Sequence, residues 1–171
     1  MSGQIQIYTG NGKGKTTAAI GQAIRAAGAG LKVYIAQFIK GKPYAEIELI
    51  RERIPEIEIK QFGLRCFIVE QPTQEDIEAA NNGLKEVERI ILSGEFDMVV
   101  LDEITIALFY SLFKTDRVIK ILQSRPTNCE IVITGRYAPD SLLEIADLVT
   151  EMKEIKHYYQ IGINARKGIE Y

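Results

Sequence analysis

The chain of 171 residues has no tryptophan, one histidine and two cysteines, and each scarcity argues against a class of function. A single histidine, His157, without a serine or cysteine nucleophile pattern nearby argues against a hydrolytic triad. Its expected role is structural. Cys66 and Cys129 are far apart and lack metal-ligand spacing, so the expectation is reduced thiols in the cytoplasm. No apolar run approaches the length of about 20 residues that a membrane-spanning helix needs. The first residues enter a strand at once, without the apolar core of a signal peptide. No Pro/Ser/Gly linker, block of like charge or internal repeat divides the sequence. A formal charge of −2 is a poor match for the basic surface that nucleic-acid backbones require, although it leaves room for a local basic pocket. What remains is one globular domain over residues 1–171, with a hydrophobic content of 46% to supply its core.

What is present is a phosphate-binding signature. Thr9-Gly10-Asn11-Gly12-Lys13-Gly14-Lys15-Thr16-Thr17 follows an apolar alternation (Ile5, Ile7) that reads as a strand and opens an Ala-rich segment that reads as a helix. A glycine-rich turn in that setting points backbone N–H groups at one anion. The helix N-terminus adds partial positive charge, Lys15 adds a full one, and the Thr16 hydroxyl is placed for Mg²⁺. The consensus G-x-x-x-x-G-K-[ST] would begin at position 9, which is Thr, so the loop counted from Gly10 is one residue short. The competing reading is a glycine-rich turn with incidental lysines.

A phosphate loop needs an acidic partner for its metal. Phe96-Asp97-Met98-Val99-Val100-Leu101-Asp102-Glu103 reads as a strand covered on both faces, with Asp102 and Glu103 at the ligand end of an open α/β sheet. One acid can bind Mg²⁺ directly while the other holds a water or a loop. Strand signals fall near residues 4–8, 32–38, 57–61, 97–102 and 130–134, with weaker ones near 148–152 and 157–161. Helices are predicted over Thr16–Ala29, Tyr44–Arg53, Gln74–Leu92, Asp116–Gln123 and Asp140–Ala146. In the third, Ile77, Ala80, Leu84, Val87 and Ile91 share one face, and Thr73 with Asp76 resembles a capping box. Alternation of strands and helices predicts a mostly parallel sheet with crossovers, that is, an α/β fold.

Ile131-Val132-Ile133 leads into Thr134-Gly135-Arg136-Tyr137, which places the Arg136 guanidinium at the same sheet edge, near phosphate or ribose. An arginine in a surface turn is the even alternative. Arg25 on the first helix gives a similar, weaker signal. Tyr158, Tyr159 and Tyr171 can stack on a planar ligand or simply pack.

These blocks together resemble the P-loop ATP:corrinoid adenosyltransferases of the CobA/BtuR/CobO type over nearly the whole chain. The resemblance rests on Thr9–Ala19, Gln37-Phe38-Ile39-Lys40-Gly41, Asp97–Glu103, Thr134-Gly135-Arg136, Ala146–Met152, Lys156-His157 and Gly168-Ile169-Glu170-Tyr171. It implies a P-loop NTPase-like (RecA-like) fold with helices on both faces. The implied reaction transfers the 5′-deoxyadenosyl group of ATP to the Co(I) of a corrinoid and releases triphosphate, which lies in the loop in the reverse of the usual direction. The short loop is consistent with that seating. Co(I) is itself a strong nucleophile, so the protein needs no serine, cysteine or general base. Its tasks are alignment, charge neutralisation and exclusion of water.

By the same resemblance, Gly10, Asn11, Gly12, Lys13, Gly14, Lys15, Thr16 and Thr17 cradle the triphosphate. Thr16 and Glu103 ligate Mg²⁺ with Asp102 beside them, and Arg25 and Arg136 contact the nucleotide. Lys15, Glu103 and Arg136 are the implied catalytic residues. Family members place aromatics after the third strand against the lower face of cobalt. Here that segment is Gly63–Val69, with Phe67 the candidate and a core phenylalanine the alternative. Longer relatives cover the corrinoid with an N-terminal helix that this sequence does not show. A homodimer and an electron donor such as a flavodoxin or a flavin are also implied, with neither nucleic acid nor membrane as a partner. The runner-up is an NTPase or kinase-like protein cleaving the γ-phosphate with the same Lys15, Thr16, Asp102 and Glu103. A non-catalytic nucleotide switch is a weaker third reading.

Overall fold

A computed structural model describes residues 2–42, 44–65 and 71–170. Six strands, β1 (Ile5–Thr9), β2 (Val33–Lys40), β3 (Ile57–Arg65), β4 (Met98–Asp102), β5 (Glu130–Thr134) and β6 (Leu148–Glu151), form one sheet in the order β3-β2-β4-β5-β1-β6. Every adjacent pair is parallel. The helices are α1 (Lys15–Gly28), α2 (Ala45–Arg53), α3 (Gln74–Ser93), α4 (Ile104–Phe109), α5 (Thr115–Gln123) and α6 (Asp140–Leu143), and a 3₁₀ turn spans Tyr158–Ile161.

Period-two alternation sorts the strand residues between two cores. Val33, Ile35, Ile57, Ile59, Val100 and Val132 face α1 and α2. Tyr34, Ala36, Phe38, Val99, Leu101 and Ile133 face α3, α4 and α5. The alanines of α1 (Ala19, Ala23, Ala26, Ala27) let that helix lie close over β4 and β5. The apolar stripe of α3 packs over β2 and β3. Its capping box is present, with Thr73 Oγ1 accepting from Asp76 N and the Asp76 carboxylate accepting from Thr73 N.

Some expectations needed correction. α4 was not predicted: it follows β4 without a Gly or Pro boundary, and Ile104, Thr105 and Ile106 mimic a continuing strand. The weak strand signal at 157–161 is the 3₁₀ turn, one of whose first N–H groups is met by the His157 ring: Tyr159 N donates to Nδ1 at 3.1 Å. β2 and β3 run further than predicted, and α6 stops at Leu143.

Cys129 is 2% exposed, and burial pushes its thiol up to about 11. The thiolate is the reactive form, so Cys129 is expected to resist iodoacetamide in the folded protein and react fully in urea. Peptide mass spectrometry reads the Cys129 peptide directly, and labelling at comparable rates in both conditions would refute this packing.

Candidate active site

Because all six strands run in one direction, their C-terminal ends share one edge of the sheet. Thr9, Lys40, Asp102, Thr134 and Glu151 end β1, β2, β4, β5 and β6 there, and the loops that follow build the site.

The loop after β1 crosses beneath the segment after β6. Gly12 N donates to Met152 O at 2.6 Å, and Met152 N to Thr9 O at 2.8 Å. A Cβ on Gly12 would stand 2.7 Å from Met152 O, so only glycine fits. Gly14 takes φ 117°, a left-handed value, as it turns the chain into α1. Lys15 is 7% exposed and donates to Gly10 O at 2.7 Å and Gly12 O at 2.8 Å. Burial lowers its pKa. The loop is thus wrapped around its own ammonium group.

Asp102 is the hub behind the loop. It is 1% exposed, and its carboxylate accepts from Thr16 Oγ1 (2.8 Å) and Thr134 Oγ1 (2.6 Å) on Oδ1, and from Gln37 Nε2 (3.0 Å) and Lys40 Nζ (2.9 Å) on Oδ2. Four elements are tied at one side chain. Burial acts to raise the Asp102 carboxyl, but the Lys40 charge and these hydrogen bonds outweigh it and hold it below its ordinary value.

Glu103 differs from its neighbour in kind. Its side chain keeps 22% exposure and lines the cavity. Its backbone is left-handed at φ 58°, a conformation that costs a non-glycine residue free energy and clusters at functional sites. Glu103 N donates to Thr134 Oγ1 at 3.0 Å, which fixes the turn. Burial and then the Asp102 charge raise its carboxyl. The Lys40 ammonium, 2.9 Å from Thr16 Oγ1 and 4.0 Å from Glu103 Oε1, completes the group. Burial acts to lower the Lys40 pKa, and the Asp102 and Glu103 charges outweigh it, leaving it raised.

The C-terminal segment closes the far side. Lys13 Nζ donates to Tyr158 Oη (3.1 Å), Ile169 O (3.0 Å) and Glu170 Oε1 (2.9 Å). Arg166 pairs with Glu170 at 3.3 Å and lies over the Tyr158 ring. The Arg166, Tyr158 and Lys13 hydrogen bonds hold the Glu170 carboxyl well below the usual carboxylate range.

All this surrounds a cavity of about 1200 Å³, lined by Asn11 through Thr17, Lys40, Glu103 and Arg136 on its polar side and by Tyr44, Leu49, Ile106, Phe109 and Tyr137 on its apolar side. That exceeds the roughly 300–1,000 Å³ of an ordinary small-molecule pocket. The family model for ATP:corrinoid adenosyltransferase BtuR/CobO/CobP matches residues 1–171. The chain belongs to this family.

Its relatives agree. The corrinoid adenosyltransferases of Pseudomonas aeruginosa and Escherichia coli K12 are each 38% identical over 170 residues, covering 99% of this chain and 84% and 86% of theirs. Corrinoid adenosyltransferase CobA of Salmonella typhimurium is 39% identical over 171 residues, covering 99% of this chain and 86% of its own.

Of the residues that the adenosyltransferase resemblance singled out, the loop, Glu103 and Arg136 meet at the cavity, with Gly10 and Asp102 directly behind it. Arg25 does not. It is exposed in the last turn of α1, bonded to Gln22 Oε1 at 3.1 Å, and ten residues along a helix is roughly 15 Å from Lys15. Phe67 lies outside the described residues. Sequence reasoning missed the roles of Gln37, Lys40 and Thr134, whose motifs were visible but whose convergence on Asp102 was not. It also missed the pair Phe109 and Tyr137, stacked with ring centroids 4.4 Å apart and both over half exposed. Tyr137 too is left-handed, at φ 58°.

Mg²⁺ fits this donor set. It takes hard oxygen ligands and needs only one or two carboxylates plus substrate phosphates. Here Thr16 Oγ1, Asp102 Oδ2 and Glu103 Oε1 already converge on one cation, the Lys40 ammonium.

Proposed function

We propose that this protein transfers the 5′-deoxyadenosyl group of ATP to the Co(I) ion of a corrinoid and releases triphosphate. The observation that carries the reading is a single large cavity joining a glycine-rich phosphate loop to an apolar wall. Membership of the adenosyltransferase family supports it over γ-phosphate cleavage. In the transfer, the electron pair of Co(I) forms the Co–C5′ bond, the C5′–O bond breaks, and triphosphate leaves with its bonding pair.

The residues divide that work. The backbone N–H groups from Gly10 to Thr17, with Lys15 and Lys13, bind the triphosphate and offset the charge that grows on it. Arg136 meets the nucleotide from the loop after β5. Thr16 and Glu103, with Asp102 beside them, would hold Mg²⁺, and the metal would add positive charge at the departing oxygens. The apolar side, including Phe109 and Tyr137, excludes water while C5′ is aligned with cobalt. On the family pattern alone, Phe67 is the candidate to shield the lower face of cobalt.

The whole chain acts as one P-loop domain, because both cores share the single sheet. Co(I) requires a reductant, and a flavodoxin or flavin has the chemistry for it. The exposed edge strand β6, with Leu148 and Val149 on its surface, supports a homodimer. Among the described residues no helix is long and apolar enough to cross a membrane, which is compatible with a cytoplasmic enzyme.

Anaerobic incubation with ATP, Mg²⁺ and chemically reduced cobalamin should yield the visible spectrum of the adenosylated corrinoid. Phosphorus NMR should show intact triphosphate and no stoichiometric ADP. ADP forming in step with corrinoid consumption would overturn adenosyl transfer.

A further inference from the structure

Lys40 reaches the site by a distortion. The pairing of β2 with β3 shifts register between Phe38 and Lys40, and Ile39 sits at φ 67°, which is unfavourable for a β-branched side chain. Along a regular strand Lys40 would follow Tyr34, Ala36 and Phe38 onto the α3 face. With the bulge, Ile39 joins that core and Lys40 turns instead to Thr16, Asp102 and Glu103. Bulges of this kind re-aim side chains beside active sites.

The ammonium then stands among the oxygens that a divalent ion would use. Its contacts are Thr16 Oγ1 at 2.9 Å, Asp102 Oδ2 at 2.9 Å and Glu103 Oε1 at 4.0 Å. These oxygens come from α1, β4 and the turn into α4. Two cations cannot share so small a space. Without one, two adjacent carboxylates would repel across a site screened from water.

We propose that Lys40 is a built-in counter-cation that occupies the metal's place in the nucleotide-free protein, and that Mg²⁺ arriving with ATP displaces it toward the phosphates. The inference rests on the Mg²⁺ reading above. Lys40 has the means to move: its stem is flexible and the cavity lies beside it, and its ammonium already stands 5.5 Å from the Tyr44 ring on that side. The arrangement couples the two ligands. Free metal is rejected by the resident ammonium, and only metal with a polyphosphate, which gives the ammonium a new partner, is accepted. The site is kept from filling with metal before its nucleotide.

The test uses Mn²⁺ as a paramagnetic probe, read by electron paramagnetic resonance on the whole protein. Without nucleotide the parent should bind Mn²⁺ weakly, Lys40→Met at least tenfold more tightly, and Lys40→Arg as weakly as the parent. With ATP the parent should bind Mn²⁺ well. If the parent takes up Mn²⁺ with ATP while Lys40→Met gains nothing without it, the inference is overturned and the metal reading stands. A parent that takes up no Mn²⁺ even with ATP overturns both. Should Lys40→Met melt too low for the titration, the inference expects millimolar Mg²⁺ to restore its melting temperature. A melt that ignores Mg²⁺ overturns it.

Discussion

Replacing Lys15 with alanine should lower turnover by about 10²–10³-fold, the scale for losing one preorganised electrostatic contact in a reaction site. Two of the three N–H bonds of its ammonium hold Gly10 O and Gly12 O, and the third is the one that can meet a phosphate oxygen. The loss should fall mainly on kcat, because negative charge on the triphosphate grows as the C5′–O bond breaks. Arginine should not rescue it. The pocket inside the loop is closed to all but a slender chain, with the side chain 7% exposed, and a planar guanidinium needs more room. Steady-state rates with saturating corrinoid decide the matter, and activity within twofold of the parent would refute the phosphate-loop assignment.

Asp102→Ala should instead cost stability. It removes the acceptor of four hydrogen bonds and leaves Lys40, whose side chain is 13% exposed, without its close counter-charge. Removing one partner of a buried ion pair costs about 3–5 kcal/mol, which for a domain of this size is a fall in melting temperature of roughly 6–20 °C. Adding Lys40→Met to the same chain should recover part of it, since the stranded charge is then gone. The pH dependence of the parent has a definite sign. The folded Asp102 carboxyl is held below its ordinary value, so its contribution is full above the unfolded pKa of about 3.9 and is lost as pH falls through the lower folded value. Thermal melts of the parent, the single variant and the double variant test both points. Melting of Asp102→Ala within 2 °C of the parent, roughly what 1 kcal/mol would shift, would refute the hub.

Much of this site could be read locally. Gly12, Gly14, Lys15 and Thr16 fall within five consecutive residues, and a strand before and a helix after them is enough to set a glycine-rich loop at the edge of the sheet. The apolar run ending in Asp102 and Glu103 marked the opposite wall for the same reason. The two acids are neighbours in sequence yet have opposite environments, one closed by Thr16, Gln37, Lys40 and Thr134, the other facing the cavity. Their division of labour depends on residues 31 to 86 positions away in the chain.

Arg25 shows the limit of local reading in the other direction. Its position on the first helix was sound, but a helix carries a side chain about 1.5 Å further from its start with each residue, and Arg25 ends far from the loop. Lys40 shows why motifs do not reveal roles. Its block was visible, while the bulge at Ile39 that aims it depends on the pairing with β3 and on an α3 core that takes up the displaced isoleucine.

Spacing along the chain was therefore enough for the strand, glycine-rich loop and helix of residues 5–28, the parallel α/β class and the capped helix α3, because those depend on side-chain periodicity and backbone groups a few residues apart. Which carboxylate faces the cavity, which lysine stands between the oxygens and what closes over Lys13 depend on where strands from distant parts of the chain end. Those ends meet at one edge only once the sheet is assembled in its order, and short-range electrostatics acts only between groups already brought within a few ångströms.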